Sequence, residues 1–274
     1  MLLRTTATAL LLAAISIGTT AYTARADQLQ DIAQRKELRC GTFADVPPFA
    51  APDPKTREMV GFDVDLCGAI AKTLGVTAKI TPLSVDARVP EVKLGHVDIT
   101  VANLAYTLSR AEQIQFSDPY YIAKEMLAVK ASDPGTKKAD FAGKRLSSTK
   151  GSTSELSIKL NGSDPLTFQD TGSAFMAVQQ NKAVGMVANT MTITKLVNES
   201  KTGGVPLKMI EEPMILQPIG IGMKKDEPAL LAKVNETLQA LDKSGEINRI
   251  WEKWLGKKKD DAKMDEPKKD QPKK

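Results

Sequence analysis

Residues 61–74, GFDVDLCGAIAKTL, constrain the fold of this chain more than any other stretch. Gly61 can take backbone angles closed to other residues, which suits a strand end turning into a helix. Asp63 is expected to cap that helix, and Asp65 then sits in the first turn, where exposed N–H groups favour negative charge. Leu66, Ile70 and Leu74 follow at helical spacing and give one apolar face. The run therefore reads as a helix packed on a sheet and entered through a tight turn.

The rest of the chain repeats this logic. Strands are expected over 38–43, 78–83, 99–102 and 122–129, with short helices over 88–94 and 110–114 between them. The pattern restarts after residue 140, with strands at 144–148, 166–169 and 184–188 and helices at 153–160 and 173–181. A returning strand over 219–223 and a helical region over 229–255 close it. Alternation of this kind predicts an α/β fold with mostly parallel sheets covered by helices.

The run 61–74 also resembles, at every position, the signature of the family 3 extracellular solute-binding proteins, the polar amino-acid receptors of bacterial ABC importers. The match runs Gly, aromatic or aliphatic, acid, aliphatic, acid, aliphatic, three free residues, then Ile-Ala-x-x-Leu. Further landmarks of that family follow in order from about residue 38 to 256. The resemblance implies a two-lobed periplasmic binding protein fold (type II), with two doubly wound sheets joined by a two-segment hinge. Lobe 1 would comprise 27–121 plus 219–256 and lobe 2 the inserted 122–218, with crossings near 122–128 and 213–219. Ligands of open parallel sheets bind beyond the carboxyl ends of the strands, so the lobes would face each other across a cleft.

Residues 1–26 read as a secretory signal: Arg4 in a short positive region, an apolar run from Ala9 to Ile17, and Ala24-Arg25-Ala26 as a cleavage site. Export to the periplasm follows. Residues 257–274 form a charged tail expected to be disordered. The whole chain carries +5, of which Arg4 and Arg25 supply two charges and the tail, with eight Lys against five acids, another three. Residues 27–256 are formally neutral, so no nucleic-acid footprint is expected in the folded part. Cys40 lies in the first strand and Cys67 on the sheet-facing side of the signature helix. Some general amino-acid receptors resemble this chain in carrying cysteines at these two places; a disulfide and two buried free thiols both remain open.

The resemblance also names site residues. Asp98, Thr107 and Arg110 stand at the family's spacing, which implies that Arg110 grips a ligand α-carboxylate; a guanidinium offers paired N–H donors for that purpose. Asn103 and Ala105 occupy positions where relatives place short hydroxyl residues. Lys150-Gly151-Ser152-Thr153 matches the family's Gly-[Ser/Thr]-Thr turn opening a helix, whose N–H groups and Thr153 hydroxyl would complete a carboxylate site; an ordinary N-cap is the alternative, and both readings can hold together. Asn189 departs from the pattern, because relatives carry Asp there for the ligand's ammonium. Either another acid, such as Asp45 or Asp118, substitutes, or the ligand is not an ordinary α-amino acid. Phe43 would suit a flat or apolar ligand portion unless it is core, and Arg88, in Arg-Val-Pro, resembles an arginine that reaches a distal carboxylate. Val46 and Val85 fall where stacking aromatics often sit.

The single histidine, His96, reads as an exposed turn residue and supports no Ser-His-Asp system. No zinc cluster, calcium loop or phosphate-binding Gly loop is present in the sequence, so neither cofactor nor metal is expected. The expected protein is a monomeric receptor that takes a polar or acidic amino acid to an inner-membrane permease. Two rivals remain: a sensory partner role, and a dehydratase-type enzyme on the same fold, which would need a general acid in the cleft.

Overall fold

The computed structural model describes residues 27–256; the expected signal segment and charged tail lie outside the described residues. Two sheets organise the chain. The first runs Thr77–Leu83, Glu37–Phe43, Ile99–Thr100, Gly222–Met223, Gln115–Phe116. Its first three strands are parallel, with Cys40 paired to Ile80 on one side and Ile99 on the other, and Gly222–Met223 returns antiparallel. The second runs Leu207–Met209, Tyr121–Lys130, Gly185–Asn189, Arg145–Thr149, Asp164–Phe168. Successive residues of Tyr121–Lys130 serve opposite faces of that sheet. Leu127 and Val129 pack with Val187, whereas Met126 and Ala128 pack with Met186.

Two strands link the sheets. Ile215–Ile219 lies antiparallel on the first half of Tyr121–Lys130, in register from Tyr121 opposite Ile219 to Glu125 opposite Ile215. Each sheet has its own apolar core, and the first is centred on Phe62, Leu66, Ile70 and Trp251. The architecture is the two-lobed fold expected from the sequence.

The signature helix, Phe62–Thr73, is entered as predicted but not capped as predicted. Gly61 sits at φ +143°, and a Cβ there would stand 2.1 Å from the Phe49 carbonyl oxygen, so a side chain has no room. The incoming loop supplies the acceptors: Phe62 N–H donates to Pro48 O at 3.0 Å and Asp63 N–H to Phe49 O at 2.9 Å. With those donors satisfied, Asp63 is no cap; its carboxyl turns inward and is fully buried. Asp65 instead ties this helix to the last one, accepting from Lys253 Nζ at 2.6 Å and Trp254 Nε1 at 2.7 Å.

Other elements differ from the sequence reading. Helices Gln28–Arg35 and Thr190–Ser200 and strand Leu207–Met209 were absent from it. The closing helical region is split at Gly245, in the left-handed region at φ +74°, into Pro228–Lys243 and Glu246–Leu255. The returning strand is two pieces, Ile215–Ile219 and Gly222–Met223. Asp98 is buried far from any cleft role: it accepts from Arg35 Nη2 at 2.6 Å and Arg39 Nη2 at 2.7 Å, fastening the first helix to the sheet. His96 is exposed and bonds Glu91, as expected of a turn residue.

Cys40 and Cys67 form a disulfide joining the central strand to the signature helix across a sequence separation of 27. Closing a loop of this order constrains the unfolded chain and is worth about 3 kcal/mol in chain-entropy terms. The double variant Cys40→Ser, Cys67→Ser is expected to unfold at correspondingly lower urea concentration. An unchanged midpoint would show that the bond contributes nothing to stability.

Candidate functional site

Between the lobes lies a cavity of about 50 Å³, lined from one side by Phe43, Arg88 and Asn103 and from the other by Glu125, Thr153 and Asn189. A larger hollow of about 190 Å³, among Arg35, Arg39, Lys224 and Glu227, shares no lining residue with it and borders the Asp98 cluster.

Lobe 1 contributes a held cation. Arg88 opens helix Arg88–Leu94 and is buried; its Nε donates to Val85 O and its Nη1 to Ala102 O, each at 2.8 Å. Its guanidinium carbon sits 4.9 Å from the centre of the Phe43 ring, a cation–π contact that fixes the plane of the group. Phe43 is thus both buried and cavity-lining, which joins its two sequence readings. Burial, then repulsion from Arg110, lowers the Arg88 pKa to about 9, against the pull of Asp63 and Glu125. Asn103 has φ +43°, a left-handed conformation that Asn tolerates, and its Oδ1 accepts from Tyr121 Oη. Val46 and Val85 line the cavity as aliphatic surface.

Lobe 2 contributes a helix start. Ser152 is the N-cap of Thr153–Leu160: its Oγ accepts from Glu155 N–H at 3.2 Å and donates to Thr149 O at 2.6 Å. That hydroxyl is therefore committed, while Thr153, nearly buried at the cavity wall, has no side-chain partner among the described residues. Asn189 caps the next helix, its Oδ1 accepting from Met191 N–H at 3.0 Å. What its amide has left to offer is mainly donors.

Two residues expected in the site do not line the cavity. Ala105 is buried in an isolated bridge with Ile219. Arg110 follows the Thr107 cap of Leu108–Ala111 and stands half-buried at the seam between lobes. Its Nη1 donates to Ala105 O at 2.8 Å and its Nη2 crosses to Gly151 O at 3.0 Å. Gly151, at φ +72°, also approaches lobe 1 closely: a Cβ there would lie 3.1 Å from the Asp86 Cα. Burial brings the Arg110 pKa down to about 10, with Glu125 opposing, so it remains a cation at neutral pH.

The acid missing at position 189 is not replaced by Asp45 or Asp118, which are exposed and line no part of the cavity. The cavity's carboxylate is Glu125, 3% exposed, on the strand linking the lobes. Its Oε2 accepts from Ser154 Oγ at 2.6 Å and its Oε1 from Gln217 Nε2 at 2.5 Å. Glu125 was missed in the sequence, although a charge among Tyr121, Ala123, Leu127 and Val129 on one strand face was a readable anomaly. Asp63, which does not line the cavity, is held well above the usual carboxylate range by burial, against the Arg88 charge and the Asn103 N–H.

Fold and cleft together define a two-lobed solute-binding protein. Over 254 residues, 90% of each chain, it is 27% identical to the ABC transporter glutamine-binding protein GlnH of Bacillus subtilis (strain 168). The P235GK mutant of ArgBP from T. maritima superposes with a TM-score of 0.76 at 28% identity, covering 84% of this chain and 99% of that one. An ancestral arginine-binding protein bound to glutamine gives a TM-score of 0.75 at 33% identity, covering 81% and 99%. The sequence profile of the bacterial extracellular solute-binding proteins, family 3, matches residues 38–257, and the chain belongs to that family.

Burial raises the Glu125 pKa above its ordinary 4.5, against the hydrogen bonds from Ser154 and Gln217 and the charges of Arg88 and Arg110. Between those two values the folded chain keeps a proton that the unfolded chain has lost, so this group's contribution is present at low pH and lost as pH rises. Urea titrations are expected to show Glu125→Gln gaining stability relative to wild type from acid toward neutral pH. A difference that does not change with pH would contradict this.

Proposed function

We infer that this chain is an exported, periplasmic receptor that captures a polar or acidic amino acid between its lobes and delivers it to an ABC-type permease. The observation that carries the reading is the cleft itself, where a guanidinium, a carboxylate and a helix N-terminus from two lobes converge on one cavity. The pairing of Tyr121–Lys130 with Ile215–Ile219 supports crossings near 122–128 and 213–219, with lobe 1 as 27–121 plus 219–256 and lobe 2 as 122–218.

A cavity of about 50 Å³ has room for little more than a few water molecules, so ligand entry requires the lobes to part. The ligand's α-carboxylate takes the place of the Gly151 carbonyl on Arg110 and meets the Thr153 hydroxyl and the N–H groups opening Thr153–Leu160. Arg88, stacked on Phe43, faces a polar or acidic distal group. Because these contacts come from both lobes, only a ligand spanning the cleft favours the closed arrangement, which is a population shift toward the form a permease would read.

A thermal-shift screen over the standard amino acids and simple organic acids is expected to single out one or a few polar or acidic amino acids. For such a ligand, calorimetry should show Arg110→Ala weakening binding by about a hundredfold or more while the fold is retained, since a charged partner of the carboxylate is lost. Unchanged affinity in that variant would refute the carboxylate assignment.

A further inference from the structure

The cavity wall holds one carboxylate and one guanidinium, those of Glu125 and Arg88. Arg88 is engaged by two carbonyls and a ring, and neither it nor Arg110 forms a salt bridge with Glu125 among the described residues. Glu125 is thus a nearly buried acid held by two neutral donors, Ser154 Oγ and Gln217 Nε2. A carboxylate has about four acceptor positions, and two of these are filled. Such a group is costly to bury without a cation, and hydrogen bonds from neutral donors do not neutralise it.

Glu125 is the direct cross-strand partner of Asn189. Side chains so paired leave the same face of the sheet with Cα atoms about 5 Å apart. Asn189 spends its carbonyl oxygen on Met191 N–H, which leaves its amide donors, a poor match for a cation. The acceptor for a cation therefore stands one strand away. Gln217, which holds Glu125 Oε1, also has its own Oε1 buried with no donor, a further acceptor in the same cluster.

Building on the receptor reading, we propose that Glu125 is the counter-ion for a primary ammonium on the ligand, so that the cleft selects zwitterionic amino acids over the corresponding carboxylic acids lacking the amino group. The ammonium, with three donors, fills the remaining acceptor positions on Glu125. The anchor lies on the strand that joins the lobes, bonded at once to Ser154 of lobe 2 and to Gln217 on the second linking strand. Ligand charge is therefore neutralised at the pivot, while the carboxylate is held at the seam by Arg110.

The test is calorimetry of the purified chain with L-glutamine and L-glutamate and with glutaramate and glutarate, the same skeletons without the amino group. Wild type is expected to prefer the amino acids by at least about thirtyfold, the scale of a buried charge pair left half-made. Glu125→Gln, which keeps the shape, should lose most of that preference by weakening the amino acids alone. Equal affinity of wild type for amino acid and deaminated analogue, a measurement that needs no variant, overturns the assignment. So does a Glu125→Gln chain that weakens both classes alike or leaves both unchanged. Where the screen singles out another amino acid, that amino acid and its deaminated analogue replace these pairs; a screen in which no amino acid binds overturns the receptor reading, and the assignment with it.

Discussion

A nearly buried carboxylate, on a strand that links the lobes and at the wall of the cavity between them, is the constraint around which this cleft is arranged. Glu125 is 3% exposed, and its charge costs several kcal/mol to bury unless something answers it. Ser154 and Gln217 orient it, and the more distant Arg88 and Arg110 favour its ionised form without touching it. The two arginines repel each other across the same space, which is part of why Arg88 titrates near 9. A zwitterion entering here relieves both imbalances at once, because its two charges match the two unsatisfied signs. Neither a simple anion nor a simple cation does so.

The fold supplies the rigidity this arrangement needs. The Cys40–Cys67 bond and the close approach of Gly61 to the Phe49 carbonyl lock the signature helix and its entry loop onto the first sheet. That loop leads from Phe43, the ring on which Arg88 is stacked. Behind it, Phe62, Tyr120, Tyr121 and Trp251 form a continuous aromatic cluster, and Tyr121 reaches from there to Asn103 at the cavity. Between the lobes, Arg110 reaches across to the Gly151 carbonyl, Gly151 rests on Asp86, and Met191 packs against the first core. Separate apolar cores joined by two paired strands are what a hinged clamp requires.

Local features were legible in the sequence. The Gly61 turn, the helical face of Leu66 and Ile70, and the capped helix at Thr153 each depend on neighbours a few residues apart. The cysteine pair could be placed on a strand and a facing helix, though the bond itself could not be decided. What was not legible depended on partners distant in sequence. Asp63 looked like a cap because nothing in its own segment announces that the Pro48 and Phe49 carbonyls take those N–H groups. Glu125 escaped because its meaning comes from the register opposite Asn189 and Ile215, which is a property of sheet pairing. The acids that the sequence offers as substitutes, Asp45 and Asp118, are exposed in the structure.

Ligand selection by this cleft depends on Glu125 facing the ligand's positive charge. Carbon-13 NMR of the Glu125 side-chain carboxyl, titrated with pH, reads this directly. The midpoint should lie above the ordinary glutamate value in the protein alone and fall when L-glutamine saturates the cleft, because a neighbouring ammonium favours the ionised form. A midpoint that is unmoved or raised by saturating ligand would contradict the account.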